Sequence, residues 1–268
     1  MLLYQVIILA IIQGITEFLP VSSSGHLIIF PHFFQWPDQG LDMDVAVHVG
    51  TLGAVLIYFW RDVLSMFGGA LSLIRGKMTK GGELFVLLCI GTIPAIILGF
   101  LLSHYNLMDR MRSVEVIAWT MIVYGVLLYF IDKFASVGEP LGKMTGFRAF
   151  VVGIAQALAL IPGTSRSGAC ITMMRVLGYN RADAAKFSFL LSIPAISAAA
   201  VLQGYKMYQG GRFSSMYQQT SIAAIVSFVA GLLAINFMLT WLRKGNFTPF
   251  VVYRLGLGAF LLFWAYYL

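Results

Sequence analysis

Charge is what this chain has least of: Asp, Glu, Lys and Arg together make up 11% of its 268 residues, where a water-soluble domain averages about 25%. A soluble enzyme of ordinary composition is excluded. Low charge with abundant aliphatic residues also excludes a disordered chain. Acidic residues are the scarcer sign, 11 Asp and Glu against 18 Lys and Arg. Cysteine is nearly absent. Cys89 and Cys170 are far apart with apolar neighbours, which excludes a disulfide framework, a redox pair or a cysteine metal site; both are expected to be small core residues. Residues 1–18 lack a positively charged start and a small-residue cleavage site, so they are expected to remain in the mature protein. Prolines number only 8, so one inside an apolar run carries information.

What is present is hydrocarbon: 59% hydrophobic residues and a mean hydropathy of +0.85. Residues 84–102, 114–131, 187–203, 221–242 and 250–268 each approach the roughly 20 apolar residues that cross a bilayer core. A shorter window lies at 45–60. The expected fold is an all-α polytopic membrane protein forming a single membrane domain. The net charge of +7 has its simplest explanation in topology rather than nucleic acid, because the basic residues sit in loops between apolar segments.

Two polar stretches interrupt the hydrocarbon, Gln13 to His26 and Gln156 to Gly168. In the first, Pro20-Val-Ser-Ser-Ser-Gly follows Gln13 and Glu17; in the second, Pro162-Gly-Thr-Ser-Arg-Ser-Gly follows Gln156. They lie about half the chain apart, which points to duplication, with repeat one at about 1–132 and repeat two at about 146–268. A helix over 2–18 must stop before Pro20. The next piece, 23–30, covers only ~12 Å before Pro31, so the pair predicts a re-entrant hairpin. The second half repeats it, with a helix over 146–160, a break at Pro162-Gly163 and a second piece to Gly178. Irregular backbone at that depth is tolerated only when buried in protein or lining a wet cavity, so both breaks are expected to face one polar site.

Lys and Arg counts set the expected orientation. If the loop with Arg61, Arg75, Lys77 and Lys80 is cytoplasmic, alternation places Lys133, Lys143, Arg148, Arg175, Arg181, Lys186, Arg243 and Lys244 there too. Arg110, Arg112, Lys206 and Arg212 fall outside with Asp38, Asp42 and Asp44. The halves then have inverted topology, both termini face outward and the breaks meet near the midplane. The three aspartates are expected in a solvated loop, and His32, His48 and His104 outside any site. Arg254, in an apolar stretch, either snorkels or faces the interior.

Ionisable groups at bilayer depth cost about 2.5–3.5 kcal/mol on insertion scales and are read first as functional. Gln13 and Glu17, four apart on a helix, can present two oxygens to Mg²⁺ or Ca²⁺, with substrate phosphate and water completing the shell. Hydrogen bonding to a neighbouring helix is the plainer reading of that pair. Ser22, Ser23 and Ser24 can cap a short helix or join helices, and Ser22 and Ser24 are also expected among the hydroxyls that hold substrate phosphate. His26, three after Ser23, is expected to reach the Ser23 hydroxyl, the minimum unit of an activated nucleophile. In the second motif Gly163 permits close backbone approach. Thr164, Ser165 and Ser167 bring hydroxyls to a helix N-terminus, and Arg166 brings a bidentate fork, all suited to phosphate. Arg166 neutralising Glu17 structurally is the alternative.

Together these motifs resemble the bacterial undecaprenyl pyrophosphate phosphatases linked to bacitracin resistance. That family carries Glu/Gln-x-x-x-Glu running into Pro-Val-Ser-Ser-Ser/Thr-Gly-His, matched at Gln13 to His26, and Pro-Gly-x-Ser-Arg-Ser-Gly, matched at Pro162 to Gly168. The likeness extends to the closing Phe247-Thr-Pro-Phe-Val-Val-Tyr-Arg254 segment. It implies inverted repeats with re-entrant hairpins in the bacterial plasma membrane, among membrane lipids, and a metal-dependent site opening outward. The implied substrate is a C55 isoprenoid pyrophosphate, cut to the monophosphate carrier of cell-wall synthesis. Glu17, Ser23, His26 and Arg166 match functional positions, with Gln13 standing where other members have glutamate. Ser23 is the favoured nucleophile and His26 its proton shuttle; water activated by His26 or Glu17, and His26 itself, stay open. A lipid-phosphate transporter or flippase using the same anion site is the competing class, and a structural scaffold leaves the intramembrane charges unexplained. Glycine-rich spans permit close helix contact, within one chain or in a homodimer.

Overall fold

The computed structural model describes residues 2–37, 39–105, 107, 111–135, 138–209 and 217–267, without the side chains of Leu41, Lys206, Met207, Tyr208 and Tyr217. Asp38, Arg110, Arg212 and the Lys206 side chain, all used in the charge count, lie outside the described residues. Among those described, the chain forms α-helices, a short 3₁₀ turn at Leu141–Lys143 and no strand beyond an isolated bridge between Glu139 and Tyr179.

Both proline breaks form hairpins. Helix α1 (Leu3–Phe18) ends where Leu19 turns extended, at φ −80° and ψ 143°, as the residue before a proline must. Helix α2 (Ser23–Phe33) follows. Its 11 residues reach about 16 Å at 1.5 Å each, half of a bilayer core. The second hairpin is α7 (Gly146–Leu158) and α8 (Arg166–Val176). Pro31 does not end α2 as expected. The carbonyl of Leu27, which loses its helical partner because proline has no N–H, accepts instead from Gln39 Nε2 at 3.1 Å, and the helix continues to Phe33.

Among the described residues, five helices are long and apolar enough to span a membrane: α5 (Lys80–His104), α6 (Val114–Phe134), α9 (Arg181–Gln209), α10 (Tyr217–Trp241) and α11 (Thr248–Tyr267). The short window at 45–60 is longer than read. Helix α3 (Gly40–Tyr58) runs through it and turns by 87° into α4 (Trp60–Ile74), a bent pair that makes a sixth span when counted as one. Asp42 and Asp44 therefore lie on α3 and not in a solvated loop: Asp42 is buried and accepts from Gln203, and Asp44 accepts from Gln39 at 2.7 Å.

The solvation pattern is that of a multi-pass membrane protein. Large apolar side chains face outward along whole stripes, such as Ile225, Val229, Leu233 and Phe237 on α10, while Gln13, Glu17, His26 and Arg254 are buried. A water-soluble protein reverses this arrangement. Cys170 is buried as expected, but Cys89 faces outward.

Each hairpin lies against a helix of the other half, α1 on α10 and α7 on α5. Small residues allow the approach: a side chain at Gly14 would meet Ala230 and the Ser227 carbonyl, and one at Gly153 would meet Gly91 and Pro94. Close backbone approach of this kind substitutes for the hydrophobic drive that lipid does not supply. The main core gathers Phe18, set edge-on to Phe189 at 5.2 Å, with Leu128, Cys170, Phe187 and Phe247.

Candidate active site

Both short helices begin with the same local structure. Ser22 and Ser165, each at φ 74°, cap α2 and α8 by accepting from the backbone N–H of Gly25 (3.3 Å) and Gly168 (3.1 Å). The positive φ turns the chain sharply enough to aim both helix N-termini at one point. Such N-termini carry unsatisfied N–H groups and positive potential. The first residue of each new helix, Ser23 and Arg166, reaches that point.

Glu17 occupies it. Its side chain is only 5% exposed. Oε1 accepts from Arg166 Nη2 at 2.6 Å, and Oε2 accepts from Ser23 Oγ at 2.6 Å and Gln13 Nε2 at 3.0 Å. Arg166 also donates from Nη1 to the Ser188 carbonyl at 2.6 Å, which fixes the plane of the guanidinium. His48, on α3, places Nε2 3.6 Å from Glu17 Oε2. The structure thus brings Gln13, Glu17, Ser23 and Arg166 together from both hairpins.

The expected contact between His26 and Ser23 is not made. His26 Nδ1 lies 2.7 Å from the Ser22 carbonyl and Nε2 lies 2.6 Å from the Tyr253 hydroxyl. A carbonyl only accepts, so Nδ1 carries the proton and Nε2 accepts from the tyrosine. The imidazole stacks on the Tyr253 ring, 5.7 Å between centroids, and is buried. Spacing by three placed Ser23 and His26 on adjacent turns, but Ser23 is the first residue of α2 and its hydroxyl reaches back to α1.

The hydroxyls expected at phosphate divide in two. Ser22, Thr164, Ser165 and Ser167 are buried. Ser22 and Ser165 act as caps, Ser167 donates to the Leu19 carbonyl at 3.0 Å and so ties the two breaks together, and Thr164 Oγ1 finds no partner among the described residues. Ser23, Ser24 and Arg166 are partly exposed.

Arg254 faces the interior. Fully buried, it donates to the carbonyls of Met121, Thr120, Pro20, Gly163 and Thr164 at 3.0–3.3 Å. One guanidinium therefore holds the backbone of both breaks. Charge-assisted bonds of this kind are the strong ones. A second buried cluster anchors the far end of α8, where Asp132 accepts from Arg175 (3.1 Å) and Arg181 (2.8 Å).

His48, expected outside any site, and Tyr253, given no role in the sequence, are the two side chains at the site that sequence reasoning missed. His48 stands in an apolar run, Val47-His-Val, and the rule that made His26 suspicious applied equally to it. Tyr253 carried no such signal. No group of three or more His, Cys, Asp or Glu able to hold a metal occurs among the described residues. A hard dication needs few protein ligands when phosphate supplies the rest, and Gln13 Oε1, buried beside Glu17 without a partner, fits that need as a further oxygen.

Residues 6–260 match the family described as bacitracin resistance protein BacA. The chain is 46% identical over 272 residues to undecaprenyl-diphosphatase 1 of Rhodospirillum rubrum, covering 99% of this chain and 96% of that one. It is 48% identical over 267 residues to an undecaprenyl-diphosphatase of Roseobacter denitrificans, covering 99% and 100%. To the undecaprenyl-diphosphatase of Saccharophagus degradans it is 46% identical over 260 residues, covering 96% and 97%. With a match over nearly its whole length, and with both motif breaks built around one buried carboxylate, this chain belongs to the bacitracin resistance protein BacA family.

Proposed function

We propose that this chain hydrolyses undecaprenyl pyrophosphate to undecaprenyl phosphate and inorganic phosphate, recycling the lipid carrier of cell-wall synthesis. The observation that carries the reading is the 2.6 Å bond from the Ser23 hydroxyl to Glu17, beside an arginine and between two helix N-termini. Anion binding alone needs the arginine and the helix ends. A hydroxyl held on a buried carboxylate is what bond cleavage adds.

In this reading the pyrophosphate enters between α2 and α8, with its isoprenoid tail among the helices toward lipid. The guanidinium of Arg166 exchanges Glu17 for the terminal phosphate, while the Ser188 carbonyl keeps its plane. Ser23 Oγ attacks the terminal phosphorus as Glu17 takes its proton, and the P–O bond to undecaprenyl phosphate breaks. Glu17 passes that proton to the leaving undecaprenyl phosphate and is a base again; water then attacks phosphoserine as Glu17 takes its proton, the P–O bond to Ser23 breaks, and Glu17 returns the proton to Ser23 Oγ as inorganic phosphate leaves. Glu17 and Gln13 would hold a divalent cation, which would neutralise negative charge on the substrate. Ser24 and the first N–H groups of both helices add donors where charge develops. The backbone that carries them is held by Arg254 and by the caps Ser22 and Ser165.

The same proposal includes the inverted arrangement of the halves, residues 1–132 and 146–268, with the site opening to the periplasmic or extracellular side. The distribution of Lys and Arg supports it. The hydrolase reading is tested by phosphate release from a C15 or C55 isoprenyl pyrophosphate by purified protein. Release that falls sharply in Ser23→Ala and Arg166→Ala is expected. Folded wild type that binds the lipid but releases no phosphate would contradict hydrolysis and leave transport as the function.

A further inference from the structure

We infer that His48 Nε2 is a metal ligand, completing with Glu17 and Gln13 a mixed nitrogen and oxygen site for a divalent first-row transition ion. The inference deepens the proposed hydrolase reading by naming the ion and a residue that neither the motifs nor the spacing contained.

Hydrogen bonding decides what His48 offers. Its Nδ1 lies 2.6 Å from the carbonyl of Asp44, one turn back on α3. A carbonyl has no proton to give, so Nδ1 bears the hydrogen, and the ring in its neutral form presents a lone pair at Nε2. That lone pair faces Glu17 Oε2, itself an acceptor, across 3.6 Å. With Glu17 buried and the His48 side chain 30% exposed, two acceptors that face each other repel unless a proton, a water or a cation lies between them. A proton shared directly does not serve, because 3.6 Å exceeds hydrogen-bond length. An ion does. Ligand atoms each about 2.1 Å from one centre stand roughly 3.0–3.4 Å apart in octahedral and tetrahedral shells, within a few tenths of an ångström of the observed separation.

Two further observations point the same way. The contact from Nδ1–H to a backbone carbonyl is the outer-shell bond that fixes tautomer and ring in metal-binding histidines. Gln13 Oε1 is buried with no partner among the described residues, while Gln13 Nε2 is turned to Glu17; half a turn of the amide delivers a third oxygen. His26 differs in this respect. Both of its nitrogens are already engaged, by Ser22 and Tyr253, so it has no lone pair to give. An imidazole in the shell favours a first-row transition ion over Ca²⁺, which prefers oxygen throughout, and Mn²⁺ is the member of that series whose coupling to ¹⁴N serves as the probe.

The test is electron spin-echo modulation from ¹⁴N on Mn²⁺ added to the purified full-length protein. It is run with and without a methylene-bridged, non-hydrolysable isoprenyl bisphosphonate. Nitrogen coupling is expected in wild type and in His26→Ala and is lost in His48→Ala, with Mn²⁺ affinity reduced by about tenfold or more. If His48→Ala does not fold, His48→Gln replaces it: coupling disappears while Mn²⁺ stays bound through the amide oxygen. Bound Mn²⁺ without nitrogen coupling, coupling that survives in the His48 variants, or no Mn²⁺ bound under either condition would overturn the inference. Phosphate release measured on the same samples separates the two claims, since coupling without turnover leaves the metal site standing and removes the hydrolase.

Discussion

The two hairpins share a framework and differ in what they carry. Both have a buried glutamine on the first arm, a proline break, a serine cap at φ 74° and a glycine whose N–H meets that cap. With the caps Ser22 and Ser165 aligned, Gln13 corresponds to Gln156, Ser23 to Arg166, His26 to Ala169 and Glu17 to Leu160. The first hairpin carries a carboxylate and a hydroxyl; the second has an arginine and no acid. In the proposed mechanism two like scaffolds thus place a base and nucleophile on one side of the site and an anion holder on the other. The shared parts are backbone devices, and the differing parts are the chemistry.

The comparison breaks first at the unpaired positions. Glu17→Gln keeps the size of the side chain and removes the base, with an expected loss of about 10²–10⁴-fold in kcat. Arg166→Ala is expected to cost about 10²–10³-fold. Leu160→Glu, which gives the second hairpin its missing acid, is expected to rescue neither, because Ser23 stands on the first. Rescue of Glu17→Gln by Leu160→Glu, read as phosphate release, would show the hairpins to be interchangeable.

The next effect falls on what the hairpins share. Arg254→Met leaves five carbonyls of the two breaks and α6 without their donor, and about 3–5 kcal/mol of stability is expected to go, the scale of a broken buried ionic network. Thermal unfolding in detergent measures it. Asp132→Ala, which strips two arginines of their partner at the far end of α8, is expected to lose a similar amount while the folded fraction keeps its KM.

Smaller effects separate the breaks from ordinary turns. Gly163 has φ 87°, and a side chain there would run into Thr120 and Ile117; Gly40 has φ 75° with nothing within 4 Å. Gly163→Ala should therefore destabilise more than Gly40→Ala, for which only the left-handed backbone term of about 1–2 kcal/mol applies. Least affected is the exposed loop. There the hydrogen bond from Arg148 to Glu139 holds that carboxyl below its ordinary value of 4.5. A depressed folded-state value stabilises the fold above the ordinary value and loses the contribution as pH falls through the folded one. Glu139→Gln should change the melting temperature slightly at neutral pH and not at all in strong acid.

Much of this architecture could be read before any coordinates. Pro20 and Pro162 marked both breaks, the serines after Pro20 offered the first cap, and the long apolar runs became helices within a few residues of the windows. What escaped depends on contacts between distant segments. The bend at Phe59 has neither proline nor glycine to mark it, falling in Tyr58-Phe59-Trp60. Pro31 looked like a stop because its rescue by Gln39 is tertiary. Ser23 and His26 looked like a pair because helical spacing says which residues share a face, not where the first residue of a helix sends its hydroxyl. His48 and Arg254 were visible as intramembrane ionisable residues, but their partners, Glu17 and the carbonyls of both breaks, lie far away in the chain.

The central claim is that the Ser23–Glu17 unit performs the chemistry, and it is most directly tested by trapping the phosphoryl group. Isoprenyl pyrophosphate labelled in its terminal phosphate is mixed with enzyme in excess, quenched within one turnover, and the labelled peptide identified. The account predicts an acid-stable phosphoserine at Ser23, absent in Ser23→Ala and in Glu17→Gln. An acid-labile label on His26, or full turnover in Ser23→Ala, would contradict it.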